Sequence, residues 1–183
     1  MKKTKPFIKI LLGSPLVAAV LVFASPALAL DLNWAGPGGT VSSPTSGIWD
    51  TNTANWDNGA GAVVFTNAAN GAILGGADGT YFIDCTNLTT TNIIVNASGY
   101  TLTSSVPVTV NNTIRAQALS VATGKTFTIG TNVTVQGSVN NVVIQQDNSY
   151  AGTLIIDNGG RFAHNNASSI QFGGGPGTKI RIL

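Results

Sequence analysis

The sequence predicts an all-β chain, a right-handed parallel β-helix of a few coils with an N-terminal Trp-rich cap. Three observations carry that expectation. From Thr86 to Leu183 the apolar residues come in short pulses, among them NIIVN, YTLTS, TFTI, NVTVQ, TLIID and KIRIL, cut apart by Gly, Asn, Asp and Ser. Within the pulses apolar and polar residues alternate, without the 3.6-residue spacing of a helix. Thr and Asn recur beside the apolar positions, where stacked side chains can form hydrogen-bonded ladders. The alternative is a β-sandwich, with hairpin turns joining strands at regular spacing. Very short strands, and turns that often lack the Asn-Gly hairpin signature, favour coils of about 20 residues instead, about four to six of them.

The chain opens on Lys2, Lys3 and Lys5, then the apolar run Leu16 to Phe23, then Ser25-Pro26-Ala27-Leu28-Ala29. A basic segment, a short apolar segment and a small-x-small site together read as a secretory signal peptide over residues 1–29, cleaved after Ala29. Pro15 and Pro26 bracket a run shorter than the roughly 20 residues of a membrane span. No span is therefore expected in the mature chain. Loss of this segment inverts the charge. The whole chain carries +2, but Lys2, Lys3, Lys5 and Lys9 leave with the signal, so that five cations face seven Asp and no Glu, giving −2. No basic stripe remains to bind nucleic acid. The expected location is the cell surface or the extracellular space.

Residues 30–61 form the expected cap segment. All three tryptophans, Trp34, Trp49 and Trp56, fall there among Gly-Pro-Gly-Gly and Ser-Ser-Pro-Thr-Ser-Gly turns. Exposed, they would be carbohydrate-binding residues that stack on sugar rings; buried, they would close one end of a β-stack, and packing is the commoner use of large aromatics. Residues 62–183 form the expected β-helix region. Ala62 to Phe65 and Tyr81 to Cys85 read as its first full strands, with Gly71, Gly75-Gly76 and Asp78-Gly79 as turns between them. Beyond them the inward positions are expected at Ile93/Val95, Tyr100/Leu102, Val106/Val108/Val110, Phe127/Ile129, Val133/Val135, Val142/Ile144, Leu154/Ile156, Ile170/Phe172 and Ile180/Ile182. Cys85, the only cysteine, reads as a buried small apolar residue. The last pulse, Lys179 to Leu183, has no polar cap after it. An open apolar edge is an aggregation hazard, so the sequence leads one to expect a longer protein, or a final coil that stacks on another β-coil or chain.

The words GIWDTNTANWDNGAGAVVF, Gly47 to Phe65, followed by Gly-rich strands, resemble the start of bacterial autotransporter-associated β-strand repeat proteins. The resemblance covers mainly residues 33–135. It implies a β-helical, passenger-type region displayed outside the cell, associated with the outer membrane where a barrel exists elsewhere. It supplies no catalytic residues to carry over.

Motifs for chemistry are sparse. Gly75-Gly76-Ala77-Asp78-Gly79-Thr80 departs from the calcium-binding nonapeptide at its third glycine and has no tandem copy, so it reads as a tight turn. Gly124-Lys125-Thr126 lacks the first glycine of a phosphate loop. His164 is the sole histidine and no nucleophile elbow accompanies it. No metal site and no cofactor are expected. Glycan hydrolysis would need a carboxyl pair, and only Asp31, Asp50, Asp57, Asp78, Asp84, Asp147 and Asp157 are available; Arg161 and Lys179 lie nearest Asp157 as lyase bases. The favoured function is an exported or cell-surface structural or adhesive protein without catalysis of its own, partnered by cell-surface glycans or proteins. The alternatives are a polysaccharide-active β-helix enzyme and a Trp-based carbohydrate-binding module.

Overall fold

The computed structural model describes residues 30–105, 113–116, 118–137, 141–144, 151–157, 159–163, 169–172 and 177–183. The expected signal peptide, the Val106/Val108/Val110 alternation, Asp147 and His164 lie outside them. The described residues are all β, with no helix. In chain order the strands are β1 (Leu30–Trp34), β2 (Gly47–Trp49), β3 (Trp56–Asp57), β4 (Ala62–Val63), β5 (Asn70–Leu74), β6 (Tyr81–Cys85), β7 (Leu88–Thr89), β8 (Asn92–Val95) and β9 (Tyr100–Thr103). Then come β10 (Thr113–Ala116), β11 (Ala118–Val121), β12 (Thr126–Ile129), β13 (Thr134–Gly137), β14 (Asn141–Ile144), β15 (Thr153–Ile156), β16 (Arg161–Ala163), β17 (Ser169–Phe172) and β18 (Lys179–Ile182).

From β5 onward each strand pairs in parallel with the strand three places later, building three sheets side by side. One runs β17-β14-β11-β8-β5-β1-β3-β4, the second β16-β13-β10-β7, the third β18-β15-β12-β9-β6-β2. Registers hold across neighbours. Phe127 stands opposite Tyr100 on one side and Leu154 on the other, and Ile93 stands between Ala72 and Leu119. A period-2 sequence then puts the same kind of side chain on the same side of every strand in a sheet. The inner rows merge into one core that takes residues from all three sheets, including Leu74, Val95 and Leu119, Leu88, Ile114 and Val135, and Ile83, Leu102, Phe127 and Leu154. Each such aliphatic or aromatic contributes roughly 1.5–3 kcal/mol on burial, which a strand of four residues could not collect alone.

The alternation expected at Ile93/Val95, Tyr100/Leu102, Phe127/Ile129 and Val133/Val135 is observed, with every one of these residues buried. The Tyr100 hydroxyl is satisfied by donating to the Gly75 carbonyl at 2.6 Å, and burial pushes its pKa well up. Three expectations need correction. The first strand is β1, not Ala62 to Phe65: Leu32 and Trp34 face inward, and β1 pairs with β5. Gly71 is a strand residue of β5 rather than a turn. It lies between Asp31 and Asn92 in adjacent strands, and a Cβ there would collide with both side-chain oxygens. Ile180 and Ile182 continue the inner row, in register with Leu154 and Ile156, but are exposed rather than buried, because β18 is the outermost described strand of its sheet, with β15 alone beside it.

Segment 30–61 supplies strands as well as loops, since β1 and β2 pair in parallel with β5 and β6. Beyond β1 the direction reverses. β3 and β4 add antiparallel to its outer edge and occupy backbone groups that would otherwise be open to pairing. The loop after β1 is tied back by the Ala35 and Gly36 amides, both donating to the Asn55 carbonyl at 3.0 Å. Asp50 accepts from the Asn52 amide at 3.0 Å, the Thr53 amide at 2.7 Å and the Thr53 hydroxyl at 3.0 Å. Partial burial pushes the Asp50 carboxyl up, but these bonds outweigh it and hold the carboxyl below its usual range. Its contribution is therefore present above the ordinary aspartate pKa of about 3.9 and lost as pH falls through the lower folded value.

Cys85 is fully buried, with its thiol donating to the Ile83 carbonyl at 3.3 Å. Burial, and secondarily the negative charge of Asp84, push the thiol pKa well above its usual value. The native protein at pH 8 is expected to leave Cys85 unreacted towards a thiol reagent over hours, whereas denaturant should release one thiol per chain at once. Rapid native labelling would contradict this burial. Stability should also fall as pH rises past the unfolded thiol pKa of about 8.5, because the unfolded chain can lose a proton that the folded chain keeps.

Candidate functional site

The outer face of the six-stranded sheet carries a concave feature that gathers polar groups around an aromatic ring. Its position follows from register. Phe82 on β6, Thr101 on β9, Thr128 on β12 and Ile155 on β15 form one outward row. Asp84 and Thr103 start a second row beside it. The ladder continues past the strand ends, with the Gly130 amide donating to the Leu102 carbonyl at 2.9 Å and the Asp157 amide to the Ile129 carbonyl at 3.0 Å. Gly130 thereby follows Thr103 in the second row, and Asp157 follows Gly130.

A groove of about 280 Å³ opens at this place, lined by Phe82, Thr101, Thr103, Thr128, Gly130, Thr131 and Asp157. Gly130 explains it. Without a side chain, it leaves a gap in the outer surface between Thr103 and Asp157, and a Cβ there would sit 3.1 Å from the Leu102 carbonyl oxygen and from the Thr101 methyl. Phe82 is 54% exposed at the near end, while its neighbours Tyr81 and Ile83 turn inward or lie half-buried. Asp157 closes the far end. Its carbonyl accepts from the Gly160 amide at 2.9 Å, and Gly159 sits at φ +81° in the same turn.

The two carboxylates of this face do not meet. Asp84 and Asp157 are three strand spacings apart, about 14 Å at the backbone, against roughly 5–9.5 Å for the carboxyl pairs of glycosidases. Both Asp84 oxygens are engaged by Ser105, through its amide at 3.0 Å and its hydroxyl at 2.9 Å. Arg161 and Lys179 are exposed on β16 and β18, in different sheets from each other.

The tryptophans weighed for sugar stacking lie elsewhere. Trp34, Trp49 and Trp56 are all 0% exposed, so no ring face is presented to a ligand. They form one aromatic cluster. Trp56 stands edge-on to Trp34 at 5.1 Å and to Trp49 at 4.9 Å, and Phe65 joins Trp49 at 5.1 Å and Trp56 at 5.0 Å. The Trp34 indole donates to the Thr45 carbonyl at 2.9 Å. The indole nitrogens of Trp49 and Trp56 are buried without a hydrogen-bond partner; both rings have aromatic neighbours whose faces are weak acceptors.

The remaining motifs fold as turns. Asp78 accepts from the Ser98 amide at 2.7 Å and pairs with Lys125 at 2.9 Å. The Ser98 amide first, and Lys125 second, hold its carboxyl below the usual range. Gly124 turns at φ +74°. Among the described residues no group of three or more His, Cys, Asp and Glu gathers as a metal site would require, and no helix is long and apolar enough to cross a membrane. The exposed aromatic was hard to find in the sequence because Tyr81-Phe82-Ile83 is an unbroken apolar run, and alternation does not say which of its members faces out. No protein-family model, curated protein or solved structure matches this chain, so the functional reading rests on its own residues.

Proposed function

We propose that the chain is an exported structural or adhesive protein of the autotransporter-associated β-strand repeat type, folded as a right-handed parallel β-helix and shown at the cell surface. The observation that carries this reading is the in-register pairing of every third strand. It repeats the same outward positions strand after strand, so that Thr101 lies over Thr128 and Thr126 over Thr153. Such a body offers a long polar surface. Right-handed winding follows the strong preference of parallel crossovers. The basic and apolar residues of 1–29 support export, and the autotransporter-like phrase from Gly47 to Phe65 supports surface display. The polar rows suit contacts with cell-surface glycans or proteins.

Expression of the full chain in a bacterium with two membranes tests the reading. The expected product is an exported protein whose N-terminus is Leu30 and which is retained on cells or binds them. An unprocessed chain held in the cytoplasm would contradict it. A polysaccharide-active enzyme is the second reading, favoured by Asp157 in the groove. It requires release of reducing or unsaturated sugar ends that Asp157→Ala abolishes, and the wide separation of Asp84 from Asp157 weighs against a two-carboxylate mechanism.

A further inference from the structure

We infer that the groove on the outer face of the six-stranded sheet is a binding subsite for a neutral glycan segment, an inference that rests on the adhesive reading above. Three features meet there. A more than half-exposed phenyl ring, Phe82, stands at one end. A pyranose presents axial C–H groups on one face, and an exposed aromatic face is the surface that takes them. Threonines from β9, from its sheet neighbour β12 and from the turn after β12 line the middle. Each hydroxyl can donate and accept, which matches a ligand whose rim is itself hydroxyl. At the far end Asp157 offers a carboxylate, which only accepts and so suits sugar O–H donors.

The dimensions limit the ligand. Phe82 and Thr128 are two strand spacings apart, about 10 Å, and the volume of about 280 Å³ lies at the low end for small-molecule sites. The groove therefore holds a short segment of a chain rather than enclosing a whole ligand, and affinity is weak for a single contact. Charge selects further. Asp84 and Asp157 flank the groove and, among the described residues, no cation lines it, so a uronate segment is disfavoured against a neutral or N-acetylated one. Gly130 is the specificity-determining position, since any larger residue would fill the floor between Thr103 and Asp157.

The test is a two-dimensional NMR titration of the full chain, purified after export, with cellotetraose, chitotetraose and tetragalacturonate. Cellotetraose or chitotetraose is expected to shift the signals of Phe82, Thr101 and Thr128, with tetragalacturonate at least about tenfold weaker. Phe82→Ala should weaken the neutral ligand about tenfold with an unchanged melting temperature, because its ring is mostly outside the core. Thr128→Val, which keeps the shape and removes a hydroxyl, should weaken it several-fold. Absence of shifts with all three oligosaccharides up to about 20 mM, shifts confined to another face, equal binding of tetragalacturonate, or indifference to Phe82→Ala would each overturn the subsite. An exported and cell-retained chain that fails this titration loses the subsite and keeps the adhesive reading. A chain that is never exported loses that reading, whatever the titration gives.

Discussion

Trp56→Ala is expected to lower the free energy of unfolding by about 3–5 kcal/mol. Trp56 is the hub of the aromatic cluster, in contact with Trp34, Trp49 and Phe65 at once, and it is fully buried. Removing the indole leaves a cavity whose walls are rigid rings, which cannot collapse as a bed of aliphatic side chains can. The backbone adds to the cost. Trp56 pairs with Trp34 on β1 and with Val63 on β4, so its loss loosens the antiparallel strands that cover the edge of the eight-stranded sheet. Equilibrium denaturation followed by tryptophan fluorescence and by far-ultraviolet circular dichroism measures it. A shift below about 1 kcal/mol would mean that the cluster is not packed as described. The same buried rings predict that soluble glycans leave the tryptophan fluorescence of the native protein unquenched.

Phe127→Ala is expected to cost a similar amount, about 3–5 kcal/mol, for a different reason. Phe127 is fully buried at the middle of the six-stranded sheet, between Tyr100 and Leu154 in the inner row. The cavity would open in the shared core, where it removes contacts from strands on both sides. The effect should therefore appear as a lower midpoint for the whole transition rather than as loss of one end. An unchanged melting curve would contradict an inward Phe127.

Much of this organisation is legible in the sequence where strands alternate cleanly. Tyr100 to Thr103 and Thr126 to Ile129 each name their own inward residues, because a polar residue on every second position leaves one dry side. Legibility fails for three physical reasons. Aromatic and turn-rich surroundings mask β1, although Leu32 and Trp34 alternate with Asp31 and Asn33 as any half-buried strand would. Gly71 has the composition of a turn and the conformation of a strand, since its reason for being glycine is the close approach of Asp31 and Asn92 in neighbouring strands. The groove is the hardest case. It exists only because Phe82, Thr101 and Thr128 come into one row, and the step from 82 to 101 is shorter than that from 101 to 128. Unequal connections shift the register without altering the local alternation, so which outward residues become neighbours is a property of the assembled sheets. Asp157 reads as part of a turn, and the gap beside it comes from Gly130, two strands' pairing away from Asp84.

The claim on which all of this depends is that strands far apart in sequence lie parallel and in register, with one row of side chains shared along each sheet. Nuclear Overhauser contacts of Phe127 in an isotope-labelled sample test it most directly. The account predicts backbone contacts from the Phe127 strand to the Tyr100 strand on one side and the Leu154 strand on the other, in the staggered pattern of parallel pairing. Close Cα-proton pairs facing one another across β12, the mark of antiparallel neighbours, or contacts running only to the adjoining strands β11 and β13, would contradict it.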